Sequence, residues 1–413
     1  MSREREQGRK GEGAFRERLA CRACGREFPA TARIACDCDG MLDPLYDAAV
    51  WRTLDRDALV PDTIWTWSPF LPLSGSPRVS LATRGGPLVD APQLARHLGL
   101  RRLRLKMDGY AYPSWSFKDR PVAVAINRAL ELGLRTVACP STGNLAHSVA
   151  AQAAAAGLDA WILVPESIES TKTIASAVYG QHLVRVSGTY DEINALCREA
   201  ASALGWGVVN VNLRAYYAEG SKTLAYEIAA ESAWTPPSAV VAPMAGGALV
   251  TKLAQGFGEL ASLGWVSARP RIYGAQAEGC APIVAAFGAH TETITPVTPN
   301  TICKSLAIGD PVDGRWAVHA LRTTHGGGVA VSDAELVEGI TTLASHEGVF
   351  TETAGGVVMA AAERLARAGT LTREDDVVMV LTGTGLKTTE ALIGVVPEAP
   401  VIAPTLEALR SRV

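Results

Sequence analysis

The chain has 413 residues, 48% hydrophobic and 20% charged, with a formal net charge of −3. That length supports two or three domains with a sizeable core, and the balanced charge leaves no broad footprint for nucleic acid or a membrane surface. No apolar run reaches the roughly 18 residues a transmembrane helix needs. The start, MSREREQGRKGEGAFRER, is charged and lacks an apolar stretch, so it reads as a tail rather than a secretory signal. Eight cysteines are present. Four cluster near the N-terminus and four are scattered, which is not a secreted disulfide framework. A reducing cytoplasm is expected.

In chain order, the first patterned stretch is CRACGREFPATARIACDCDG. Cys21 and Cys24 form a C-x-x-C and Cys36 and Cys38 a C-x-C. Four thiolates so spaced can make a tetrahedral structural zinc site, and a small β-hairpin with reduced thiols is the alternative. Residues 40–78 hold many Trp and Pro and read as an extended lead-in wrapping the main body. From about residue 79 short apolar runs alternate with Ala-rich amphipathic ones. LRRLRLKM, TVACP, AWILVP, HLVRVSG, WGVVNV, AVVAP, RIYGAQ and VVMVLTG read as strands. NLAHSVAAQAAAAGL, YDEINALCREAASALG and SKTLAYEIAAES read as helices. Such alternation predicts βαβ units and parallel sheets, with ligands outside the carboxyl ends of the strands.

Polar or Gly-rich turns follow four of these strands: PSTGN, PMAGGALV, AQAEGC and TGTGLK. In the second, small residues from Ala245 precede a helix, a pattern that offers backbone N–H groups and a positive dipole end to a phosphate. Ser141–Asn144 opens another helix and could hold a carboxylate or simply cap it. Thr382 and Thr384 place hydroxyls at a strand end. Lys118, in YPSWSFKDR, stands at a helix start, where the dipole does not favour a cation. A lysine amine can form a Schiff base. Together, an imine lysine, a phosphate cup, a carboxylate loop and a hydroxyl for a ring nitrogen are the parts pyridoxal phosphate needs.

Several blocks occur in the order seen in threonine synthases: YPSWSFKDR, STGNLAHSVAAQAAAAGL, VNVNLRAYYAEGSKTLAYEIA, GAQAEGCAPI, NTICKSLAIGDPVDG, EGVFTETAGGV and LTGTGLKT. The chain resembles that family from about residue 20 to residue 395, including the Cys-rich segment. The resemblance implies fold type II of the pyridoxal-phosphate enzymes: two three-layer α/β domains with parallel-rich sheets and a small Cys-containing N-terminal segment. It implies a large cofactor-binding domain of 79–117 and 206–395, a smaller substrate-side domain at 118–205 inserted in it, an N-terminal part at 1–78 and a tail at 396–413. Lys118 would carry the cofactor as a Schiff base. Asn144 would bond its ring hydroxyl oxygen, Ala245, Gly246, Gly247, Ala248 and Leu249 would cup its phosphate, and Thr382 would face its ring nitrogen. Ser141, Thr142 and Gly143 would take the substrate carboxylate, and Arg214, Ser221, Lys222 and Lys304 a substrate phosphate. A Thr at the ring nitrogen, unlike a carboxylate, would not hold that nitrogen protonated. Asp119 and Arg120 would be a structural pair at the helix start.

The implied reaction converts O-phospho-L-homoserine and water to L-threonine and phosphate. The partner is a small amino-acid substrate, and a homodimer is compatible with the sequence. Departures from the family pattern gather near the site. Tyr112, Ser114 and Trp115 precede Ser-Phe-Lys in place of the usual residues, His147 stands for Asn, MAGGA for MASGS, Cys303 for Ala, and Ala215 for Pro. They leave a second reading open: a paralogue performing β- or γ-elimination or replacement on another amino acid, with Trp115 and His147 shaping the substrate side. His147 could then supply an acid/base group near neutrality. A non-catalytic homologue is the third, opposed by retention of Lys118, STGN and Thr382.

Overall fold

The computed structural model of the protein describes residues 13–412 apart from 80, 82, 142, 167–169 and 189. Residues 1–12 of the expected tail lie outside the described residues, and a strand already begins at Phe15 within that charged stretch. The strands are β1 Phe15–Cys21, β2 Glu27–Pro29, β3 Leu42–Tyr46, β4 Leu88–Asp90, β5 Arg102–Met107, β6 Thr136–Pro140, β7 Asp159–Pro165, β8 His182–Val186, β9 Gly207–Val208, β10 Ala239–Pro243, β11 Arg271–Ala277, β12 Gly327–Val331 and β13 Asp376–Leu381. They form an antiparallel sheet β2-β1-β3, a six-stranded sheet β12-β11-β10-β13-β5-β4, and a four-stranded sheet β8-β7-β6-β9. The six-stranded sheet is parallel except for its edge strand β4, and the four-stranded sheet is parallel throughout. The four-stranded sheet thus ends at Val208, three residues beyond the expected 118–205 insertion.

Both parallel sheets are covered on both faces, which is why their strands read as apolar runs rather than alternations. In β10, Ala239 and Val241 enter one core and Val240 and Ala242 the other. β13 divides the same way, Val377, Met379 and Leu381 against Val378 and Val380. In the smaller sheet Val137 and Cys139 of β6 face one core and Ala138 the other. Each sheet is therefore the middle of three layers, as the period of two requires.

Residues 40–78 run partly over the surface and partly into the body. Trp67 and Phe70 are fully buried beside Tyr226, with ring centroids 5.4 and 4.9 Å from it. Aromatic side chains in this stretch had too much apolar area to leave on a surface, each worth about 1.5–3 kcal/mol when buried. Asp119 and Arg120 do not pair with each other either. Asp119 accepts from Ser114 N–H at 2.8 Å and from the Ser148 hydroxyl at 2.7 Å. Arg120, fully buried, forks onto Asp108 at 2.6 Å and Glu227 at 2.5 Å, and Lys106 reaches Glu227 at 2.8 Å. This places two cations and two carboxylates in the dry interior beneath the helix Asp119–Glu131.

Removing one partner of such a pair strands the other, at a cost of about 3–5 kcal/mol. Arg120→Ala is expected to lower the urea midpoint sharply or prevent folding. Arg102→Ala, which removes an exposed pairing with Asp90, should leave the midpoint nearly unchanged.

Candidate active site

The strand ends bring the expected parts together. β5 and β13 are neighbours, with Met107 opposite Leu381, so the loops leaving both begin at one level. The loop from β5 runs to Lys118 and is stitched to the end of β13: Phe117 N–H donates to the Thr382 carbonyl at 2.8 Å, and Ser116 bridges Gly383. Lys118 caps the helix Asp119–Glu131 without a side-chain capping bond. It is half-buried, and among the described residues its amine has no hydrogen-bond or ion-pair partner, only the Phe117 ring at 5.6 Å. The interior lysines Lys106, Lys222 and Lys252 are all ion-paired.

β10 leads into Ala245–Leu249. Gly247 sits at φ +95°, and a β-carbon there would lie 2.9 Å from the Asp313 carbonyl oxygen, so only glycine fits. The helix Ala248–Ser262 starts with no side-chain cap and no acidic residue in its first turn. Its first N–H groups are thus left for an anion. Beside this cup Asp313 donates its N–H to Gly246 O at 3.1 Å, and its carboxylate pairs with Arg214. Among the described residues the buried Nε of Arg214 has no hydrogen-bond partner. A cup with open N–H groups, an unsatisfied guanidinium nitrogen and a partnerless amine fits pyridoxal phosphate in its donor chemistry.

From the smaller sheet, Ser141 follows β6. Its hydroxyl oxygen accepts from Gly143 N–H and Ala146 N–H, both at 3.2 Å, so the capping role is realised and the Gly143 N–H is occupied. Thr142 lies outside the described residues. Asn144 faces the other sheet, where its Nδ2 donates to Glu352 Oε2 at 2.8 Å. The other Glu352 oxygen accepts from the Thr382 hydroxyl at 2.8 Å. Lys387 Nζ donates to Asn144 Oδ1 at 2.9 Å. Burial lowers the Lys387 pKa against the opposing pull of Glu352 and Asp119. Neither Glu352 nor Lys387 stood out in the sequence. Both lie in family-like blocks, Glu352 directly before the helix Thr353–Arg367 and Lys387 five residues after Thr382.

Other expected residues are placed differently. Ser221 and Lys222 are buried, and the Lys222 amine lies between Glu219 at 2.6 Å and Glu259 at 3.0 Å over the Tyr46 ring. Its charge is spent on Glu219, three residues earlier in the same block, and on the distant Glu259, so it is not open to a substrate. Lys304 is exposed and bonds Thr301 O at 2.8 Å. Ile308, at the end of the same loop, lies 3.7 Å from where a Gly246 β-carbon would be. Tyr112 and Trp115 are half-exposed, whereas Ser114 is buried against Ser116 at 3.0 Å. His147 is half-buried and meets the Tyr179 hydroxyl at 3.0 Å. Burial first, and Lys387 second, push its pKa down to about 4. It is neutral at pH 7 and does not supply the near-neutral proton exchange that its type suggested.

The four N-terminal cysteines also converge. All four sulfurs lie within 4.8 Å of one another, with Cys21–Cys38 and Cys24–Cys36 at 3.6 Å and Cys38–Cys24 at 3.5 Å. Arg22, inside the C-x-x-C, pairs with Asp43 at 2.5 Å and with Asp313 at 3.5 Å.

The fold is that of a pyridoxal-phosphate enzyme: residues 79–383 match the family described as pyridoxal-phosphate dependent enzyme. Maize serine racemase shares the fold, with TM-score 0.62 and 20% identity over 74% of this chain and 91% of that one. So does diaminopropionate ammonia lyase from Escherichia coli, with TM-score 0.65 and 17% identity over 76% and 88%. The threonine synthase of Methanosarcina acetivorans is 33% identical over 96% of this chain and 98% of its own length. That of Methanocaldococcus jannaschii is 33% identical over 90% and 93%. The chain belongs to the threonine synthase family of fold type II pyridoxal-phosphate lyases.

The His147 placement is checked by NMR titration. Its imidazole should stay neutral from pH 8 down to about 5 and protonate near 4. Lys387→Met should raise that value without restoring the ordinary one, because burial is the larger cause. A midpoint near 6.5 in the wild type would contradict the geometry.

Proposed function

We propose that the protein converts O-phospho-L-homoserine and water to L-threonine and phosphate. The observation that carries this reading is the Lys118 amine, the one interior lysine among those described that has no acceptor, on a loop that leaves the same end of the parallel sheet as an uncapped helix start. The full-length likeness to relatives named threonine synthase supports the substrate. Bound pyridoxal phosphate supplies the electron sink. Lys118 holds it, the cup from Ala245 to Leu249 receives its phosphate, Thr382 faces its ring nitrogen and Asn144 its ring oxygen. The Lys118 amine, freed when substrate binds, moves protons at the substrate's Cα, Cβ and Cγ. Arg214 and Lys304 are the proposed cations for the departing phosphate, and Arg214 has the nitrogen to spare. Ser141 keeps its O–H for the substrate carboxylate while its oxygen caps the loop.

A related lyase acting on another β- or γ-substituted amino acid is the second reading. What favours it is the half-exposed Tyr112 and Trp115 beside the lysine loop, where the family pattern differs. We also propose that the four cysteines bind structural zinc. Tetrahedral zinc with bonds of about 2.3 Å separates its sulfurs by about 3.8 Å, close to the distances present. No helix is long and apolar enough to cross a membrane among the described residues. A reducing cytoplasm, with all eight thiols unpaired, and a homodimer are the proposed setting.

Cofactor-loaded protein should release phosphate and threonine in equal amounts from O-phosphohomoserine, and Lys118→Ala should lower turnover by roughly 10³-fold or more and abolish the cofactor's visible band. Turnover of phosphoserine or an O-acyl homoserine, with none of phosphohomoserine, would move the assignment to the second reading. Elemental analysis should find one zinc per chain, lost in Cys36→Ser. Metal-free protein from zinc-supplemented culture would refute the zinc site.

A further inference from the structure

We infer that Glu352 keeps the cofactor's ring nitrogen protonated, acting through the hydroxyl of Thr382. The inference rests on the proposed placement of Thr382 at that nitrogen. A hydroxyl has one proton to give and lone pairs to accept with. Both oxygens of Glu352 act as acceptors, one for Asn144 Nδ2 and one for Thr382 Oγ1, each at 2.8 Å. A carboxylate can only accept. The Thr382 proton is therefore committed to Glu352. What remains on Thr382 Oγ1 is acceptor capacity. A bare pyridine nitrogen would meet lone pair with lone pair, whereas a nitrogen bearing a proton would donate to it.

The carboxylate is held where this requires. Glu352 is 2% exposed, so its charge acts with little solvent screening. Its backbone N–H donates to Gly383 O at 3.1 Å. A β-carbon on residue 383 would lie 2.4 Å from the Glu352 carboxyl carbon, so glycine there is what admits the carboxylate. The Asn144 amide has a fixed orientation, because Lys387 demands its oxygen and Glu352 its nitrogen. The sequence alone suggested that a Thr at the ring nitrogen gives only a moderate sink. With a carboxylate one hydroxyl behind it, the same Thr passes on a negative charge. Glu352 is a positioning residue in this scheme, since it acts through another side chain.

The test is ¹⁵N NMR of holoenzyme loaded with cofactor labelled at the ring nitrogen, with phosphohomoserine turnover scored separately. The wild type should show a pyridinium signal. Glu352→Gln, which can donate to Thr382 Oγ1 and so turn its proton toward the ring, should shift the signal to the unprotonated range, as should Thr382→Val. An unprotonated nitrogen in active wild type overturns the inference and leaves the proposed reaction standing. A pyridinium signal retained in Glu352→Gln also overturns it. If Thr382→Val alone leaves the signal unmoved, Thr382 is not at the nitrogen and the relay falls with that placement. If Glu352→Gln does not fold, the wild-type and Thr382→Val signals decide.

Discussion

The site depends on one carboxylate held between two sheets. Asn144 opens the helix that follows β6 of the four-stranded sheet, and Thr382 directly follows β13 of the six-stranded one. Glu352 accepts from both. Hydrogen bonds to a buried charge are shorter and stronger than neutral ones. They also fail badly when one partner is lost, because the charge is left without water. The two α/β units are thus tied to each other at this carboxylate.

The same economy of charge runs through the interior. Arg120 with Asp108 and Glu227, and Lys222 and Lys252 with Glu219, fill space that hydrocarbon could have filled at less electrostatic cost. What ion pairs add is direction: each guanidinium or amine accepts only one arrangement of the loops that carry its partners. Against this background the Lys118 amine, without an ion-pair or hydrogen-bond partner among the described residues, is the exception.

Much of this was legible in the sequence, because period-two burial on both faces writes itself as runs such as AVVAP and VVMVL. Strand ends then located the turns that hold the cup and Thr382, while Lys118 stood out as a lysine at a helix start. Edge strands were harder. GGVAV of β12 is only partly buried along most of its length and lacks a strong apolar signal. Charge partners were hardest. Lys222 looked like a phosphate contact because no local pattern shows that Glu259, 37 residues on, would claim it. Glu352 and Lys387 were hidden for the same reason. A carboxylate before a helix reads as an ordinary first-turn acid, and its partners, 208 and 30 residues away, appear only in three dimensions.

Arg22 joins the cysteine cluster to the glycine turn after β10. Its guanidinium reaches Asp313 across 291 residues of chain, and the backbone of that aspartate packs on Gly246 and Gly247. The cup is therefore not a property of the strand–turn–helix that contains it. It is closed from outside by the segment that carries Arg22, and a contact of such span must offset the entropy of closing a long loop. The small N-terminal sheet is in this sense a keystone: shortening the protein to its two α/β units would remove the piece that fits the aspartate against its glycines.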